Sequence, residues 1–160
     1  MMRQSLLATA LALALSPAQA GLLGQDPPRQ ELEVTPPASF DVASAEAFEM
    51  PGDQRLRYAV VPDSLQVDED GLLRYVLVAT SSGGGQNILF EALDCTRGEH
   101  KTLARWSSHQ QQWREVKSPR WVNVDEARSA ASAVLSQGIF CADGRVLGSR
   151  EAMLRELQRQ

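Results

Sequence analysis

Histidine and cysteine are scarce in this chain of 160 residues, with two of each. An acid/base centre or a metal site built on imidazole would have to use His100 or His109. Neither stands in a ligand spacing such as H-E-x-x-H, so both are expected to be exposed side chains in turn or edge-strand context. Cys95 and Cys141 lack the short C-x-x-C spacing of a redox pair, and an even pair in a small exported domain most often forms a disulfide. Other signatures are missing too. Ser81-Ser82 precedes Gly83-Gly84-Gly85, but the order G-x-S-x-G of a nucleophile turn is absent, as is the G-K-[ST] ending of a phosphate loop. Asp68-Glu69-Asp70-Gly71 lacks the third ligand position and the downstream glutamate of a calcium loop, and reads as a solvated turn. No catalytic residue, cofactor or metal is therefore expected. Basic residues are outnumbered by acidic ones, 16 against 20, for a net charge of −4. That balance argues against nucleic acid and anionic lipid surfaces as partners.

Long apolar runs are also missing. Leu6–Leu15 is too short to span a membrane, so stable membrane insertion is not expected. With Arg3 before it and Ala18-Gln19-Ala20 after it, residues 1–20 read as a signal peptide cleaved after Ala20. No cysteine follows that point to accept a lipid, and the expected destination is the periplasm.

Residues 21–39 carry Pro27-Pro28 and Pro36-Pro37 among polar groups and read as a Pro-rich leader, disordered or extended. Residues 40–160 read as a single α+β domain. Strand patterns run over Leu56–Val61, Leu65–Val67, Leu72–Thr80, Asn87–Cys95, Glu99–Trp106 and the shorter stretch Trp113–Val116. Leu72–Thr80 carries large apolar side chains on both faces and should be central, and Asn87–Cys95 alternates Leu89, Leu93 and Cys95 on one face with Ile88, Phe90 and Ala92 on the other. After Pro119 the apolar period lengthens to that of a helix, with Val124, Ala127, Ala131, Val134 and Leu135 on one face and Gly138 as its stop. Asn123 and Glu126 have capping-box spacing at its start. A short C-terminal helix from Arg150 has Met153, Leu154 and Leu157 to dock it. The expected fold is an antiparallel sheet of four to five strands packed by one main helix and that short C-terminal helix, with the disulfide clamping the helical segment to the sheet.

Two groups of residues invite a functional reading. Trp106, Trp113 and Trp121 interleave with Arg105, Arg114 and Arg120, a composition suited to a platform for a sugar ring, a peptide or a partner protein, although the favoured reading is that these tryptophans close the edge of the core with their rings half buried. Arg74 and Glu91 lie in the middle of apolar strands and would need partners; if those strands are adjacent, the two form a structural ion pair.

Several features resemble the cryptic neisserial protein family of small exported bacterial proteins of unknown function. They are Asp63-Ser64-Leu65, Asp70-Gly71 followed by Arg74-Tyr75, Gly85-Gln86-Asn87 leading to Phe90-Glu91 and Cys95, then Trp113, Trp121 and Phe140-Cys141. The resemblance implies a periplasmic or envelope location and supplies no catalytic residue. Many such proteins look like lipoproteins, a pattern from which this chain departs. The expected role is a non-catalytic envelope interaction or accessory module whose partner is an envelope protein or cell-wall component. The alternative is a small periplasmic hydrolase using a histidine and a carboxylate. Mass spectrometry of the native protein is expected to find Gly21 at the amino terminus with no attached lipid; a retained signal segment would contradict this reading.

Overall fold

The computed structural model describes residues 28–52, 55–126 and 131–160. Its centre is an antiparallel pair, β4 (Leu73–Ser81) and β5 (Gln86–Asp94), joined by the glycine-rich turn around Gly84. Val76 lies opposite Phe90 and Leu77 opposite Leu89, so each face of this pair carries apolar side chains. Both faces must be covered, and different parts of the chain cover them.

On either side the sheet grows by antiparallel neighbours. β2 (Leu56–Val60) pairs with β4, and β1 (Glu46–Phe48) pairs with β2. On the other side β6 (Glu99–Ser107) pairs with β5, and β7 (Gln112–Glu115) pairs with β6. Two short ladders complete it: β3 (Gln66–Val67) against β4, and β8 (Val122–Asn123) against β6. The result is an eight-stranded sheet with β1 and β7 at the ends of its order, and a separate hairpin of β9 (Cys141–Ala142) and β10 (Arg145–Val146). Among the described residues, α-helix is confined to α1 (Ala131–Val134), which runs into a π turn at Leu135–Ile139, and α2 (Arg150–Leu157), with short 3-10 turns at Val42–Ser44, Pro62–Ser64 and Val124–Glu126.

The expected α+β architecture of four to five strands with one main helix is thus overturned: the protein is mostly β. Part of the reason is length. β3, β8, β9 and β10 are two residues each and β1 is three, too short to show a period of two. The rest is local chemistry before the expected helix. Val122 and Asn123 are drawn into pairing with His100 and Glu99. The Asn123 side chain then accepts from the Asp125 backbone N–H at 2.9 Å, so it caps only the 3-10 turn Val124–Glu126. Ala127, counted on the helical face, lies outside the described residues. Downstream, Gly138 at φ +93° turns the chain out of helix, as expected of it.

The first sheet face, with Leu73, Tyr75, Leu77, Leu89 and Leu93, packs against Leu135, Ile139, Phe140, Met153 and Leu157. Ser149 caps α2 by accepting from the Ala152 N–H, and Met153 and Leu157 are each 1% exposed, so this helix is firmly seated. Cys95, just past β5, and Cys141 on β9 form a disulfide with Cα atoms 5.5 Å apart, tying the helical cover to the sheet. The second face, with Val76, Val78, Ile88, Phe90 and Ala104, is covered by Val34, Phe40, Val42 and Ala45 from the N-terminal segment. The Pro-rich stretch from residue 28 onward is therefore extended chain laid across the sheet.

The disulfide spans a sequence separation of 46 residues, which corresponds to a stabilisation of about 4 kcal/mol through restriction of the unfolded chain. Paired Cys95→Ala and Cys141→Ala substitution is expected to lower the urea midpoint accordingly while leaving the far-ultraviolet circular dichroism of the sheet in place. An unchanged midpoint would contradict this account of the clamp.

Candidate binding surface

Because alternate residues of a strand face opposite ways, β4 sends Arg74 to the second face while β5 sends Glu91 to the first. The expected Arg74–Glu91 ion pair cannot form across the sheet. Arg74 forks instead onto Asp70, with Nη1–Oδ1 at 2.9 Å and Nη2–Oδ2 at 2.7 Å, and reaches Asp68 at 2.5 Å. Burial alone would raise the Asp70 carboxyl, but the Arg74 hydrogen bonds and the backbone N–H groups of Leu32 and Leu72 outweigh it and hold its pKa at about 2. The acidic turn, expected to be solvated, instead has Asp68 and Asp70 largely buried around the Arg74 guanidinium. Arg74 also donates to the Leu32 carbonyl at 3.4 Å, fastening the N-terminal segment.

That segment is held at several other points. Arg29 pairs with Asp94 and Glu99, its Nε donating to Asp94 at 2.9 Å, and its guanidinium lies 3.8 Å from the centre of the Trp121 ring. Glu31 pairs with Lys101 and accepts from the Trp121 indole N–H, while the Lys101 ammonium sits 4.7 Å from the same ring. Lys101 is pointed this way by β6, opposite Ala92 on the second face. Sequence reasoning treated residues 21–39 as a leader and missed these contacts. Apolar alternation gave no signal for them, since Leu32 between the contacting charges is 45% exposed while Arg29 and Glu31 face the sheet.

On the first face, Glu91 is 3% exposed and accepts hydrogen bonds from Tyr75 Oη and Thr102 Oγ1, each at 3.2 Å. Burial pushes its pKa up to about 7, against the pull of those two donors and the charge of Arg105. The Tyr75 hydroxyl is pushed well up by the same burial and by the neighbouring carboxylate, and so remains a donor. His100 shares this face, lying opposite Leu93, and it is buried, which lowers its pKa. Its Nδ1 has no hydrogen-bond partner among the described residues. Burial of His100 corrects the expectation that both histidines are solvated, because β8 closes over the edge of β6 at this position. His109 is exposed in the turn between β6 and β7. Among the described residues no group of three or more His, Cys, Asp or Glu side chains could hold a metal ion.

The three tryptophans separate into two places. Trp106 and Trp113 are directly opposite on β6 and β7, ring centres 5.4 Å apart in an edge-on arrangement. Phe40 lies 5.0 Å from the first and 5.2 Å from the second, and Phe90 supports Trp113 from below at 6.2 Å. The Trp113 indole N–H donates to the Pro37 carbonyl at 2.9 Å. Both tryptophans remain half-buried, at the margin of the second face. Trp121 belongs instead with Arg29 and Lys101, and Lys101 is five residues along β6 from Trp106, roughly 17 Å away at the usual strand rise.

The arginines do not join the indoles either. Arg105 and Arg114 are opposite each other and, by strand alternation, project on the face away from Trp106 and Trp113. Arg114 is exposed and donates to the Gln110 side-chain oxygen at 3.0 and 2.5 Å; Arg120 is exposed beside Trp121 in the connection to β8. In place of a mixed Trp/Arg platform, Trp106 and Trp113 close the margin of the core half-buried on one side of the β6–β7 edge, with a pair of cations on the other.

These features define a disulfide-clamped antiparallel β protein with an aromatic-rimmed edge. The chain belongs to the CNP1-like family, whose profile it matches over residues 24–158. No curated protein and no solved structure matches it. Among the described residues no helix is long and apolar enough to cross a membrane.

Glu91 makes stability depend on pH. Its folded pKa, about 7, lies above its ordinary value of 4.5, so the folded state binds the proton more tightly than the unfolded state between those limits. Stability contributed by the protonated carboxyl is complete below pH 4.5 and is lost as pH rises through 7, a difference of roughly 3 kcal/mol. Glu91→Gln keeps acceptors and donors for Tyr75 and Thr102 without a charge. The wild-type minus variant unfolding free energy, from urea titrations at pH 5 to 8.5, is expected to fall with rising pH; a flat difference would contradict the assignment.

Proposed function

We propose that this CNP1-like protein is an exported, non-catalytic accessory protein of the bacterial envelope, one of the cryptic neisserial proteins in the finer sense of the family. It acts by binding an envelope protein or a cell-wall component. The observation that carries this reading is the half-buried cluster of Phe40, Trp106 and Trp113 at the outer end of the sheet, beside the terminal strand β7. Aromatic side chains packed from below, with part of each ring left to solvent, offer apolar area at low conformational cost to a partner. Support for export comes from the signal-like residues 1–20 and from the Cys95–Cys141 disulfide, a bond that persists in oxidising compartments.

A photoactivated crosslinking residue placed at Gln112, exposed at the start of β7, tests the reading in the native envelope. A discrete adduct is expected from Gln112 and none from the same group at Gln158, which is exposed just past α2. Loss of the Gln112 adduct in Trp106→Ala protein that retains its fold would tie the contact to the aromatic cluster. Equal labelling at both positions, or none at Gln112, overturns the proposal.

A further inference from the structure

We infer that the partner adds to β7 as an extra strand, an extended polypeptide segment with acidic and apolar side chains in alternation; this rests on the binding reading above. The phase of the β6–β7 ladder comes from the Val116 N–H, which donates to the Leu103 carbonyl at 2.9 Å. With Ala104 opposite Glu115, Arg105 opposite Arg114 and Trp106 opposite Trp113, that bond makes Arg105–Arg114 the mutually hydrogen-bonded pair. The backbone N–H and C=O groups of Trp113 and Glu115 therefore point away from β6. Among the described residues no strand lies beyond β7 to take them. An edge of this kind is a template for strand addition.

Charge selects the incoming segment. Arg105 and Arg114 are cross-strand neighbours on one face, both exposed, and like charges in that position oppose one another. Lys117 and Arg120 follow, and Glu115 is the one acid between Trp113 and Trp121. In a chain of net charge −4 this concentrates positive charge at the edge. A carboxylate on the added strand, facing the side of Arg114, relieves the repulsion within the arginine pair. The next side chain along that strand faces the other way, toward the Trp113 ring, and should be apolar. A second copy of β7 paired about Arg114 is disfavoured, because it would set one Arg114 against the other with both Arg105 side chains behind them, and pairing about Glu115 would set the two Glu115 carboxylates together.

The probe is a capped Val-Glu-Val-Glu-Val-Glu peptide added to the full protein at low salt. It is expected to shift the amide resonances of Trp113 and Glu115 in a saturable manner. Arg114→Glu, an exposed change checked for fold by circular dichroism, is expected to weaken binding at least fivefold. Peptide with N-methyl groups on alternate residues, and peptide with Lys for Glu, are expected not to bind. Equal binding by the N-methylated peptide reduces the contact to charge alone and overturns strand addition. Unchanged binding to Arg114→Glu overturns the charge assignment, and self-association of the protein through Trp113 and Glu115 overturns the choice of occupant. If the Gln112 adduct forms in the envelope but the peptide does not bind, strand addition fails while the binding reading stands; if both fail, so do both inferences.

Discussion

Two adjacent strands with no polar face dictate most of this structure. β4 and β5 bury Leu73, Tyr75, Leu77, Leu89 and Leu93 on one side and Val76, Val78, Ile88 and Phe90 on the other. A sheet of this composition cannot leave either side to water, at about 25 cal/mol for each Å² of apolar surface exposed. A small protein with little helix has few elements with which to cover two faces. It uses the disulfide-tied C-terminal region for one and an extended N-terminal segment for the other, so chain with weak intrinsic structure becomes ordered by what it covers.

Each cover is fixed by polar groups at its margins as well as by packing. On the second face Arg74 joins the acidic turn at Asp68 and Asp70 to the Leu32 carbonyl, while Arg29 and Glu31 engage Asp94, Glu99, Lys101 and Trp121. Buried charges are tolerated when both partners are present and hydrogen-bonded, and Arg74 meets that condition with two carboxylates. Glu91 is different. It has two hydroxyl donors and no hydrogen-bonded cation among the described residues, so burial dominates its titration. The two sheet faces thus carry opposite electrostatic solutions, a paired cation on one and a carboxyl tending to neutrality on the other.

Covering both faces leaves the ends of the sheet as the place where backbone groups remain available. At β7 the strand is four residues long, and its neighbours divide by face: indole rings on one side, arginines on the other. The same alternation that separates Arg74 from Glu91 separates Trp113 from Arg114. A partner reading this edge meets apolar and cationic surfaces in turn, which is a stricter requirement than a mixed Trp/Arg patch would impose.

Local sequence determined the two-faced central strands, the turns at Asp70-Gly71 and Gly84, and the stop at Gly138, because those depend on side-chain alternation and on backbone conformations that glycine permits. It also made a Cys95–Cys141 bond the expected use of the only two thiols. Pairing of the shortest strands was not legible, since two residues carry no period, and Val122–Asn123 became strand only because β6 offers them a backbone edge. The partners of Arg74 and Glu91 were likewise a tertiary matter. Their strands do lie next to each other, but a direct opposition of Tyr75 to Glu91 sends the two charges to opposite faces. The N-terminal segment shows the same limit most clearly: its prolines forbid a central strand, yet only the uncovered face formed by Val76, Val78, Ile88 and Phe90 decides that it must lie there. Hydrophobic coverage is a property of the assembled sheet, so no window of sequence contains it.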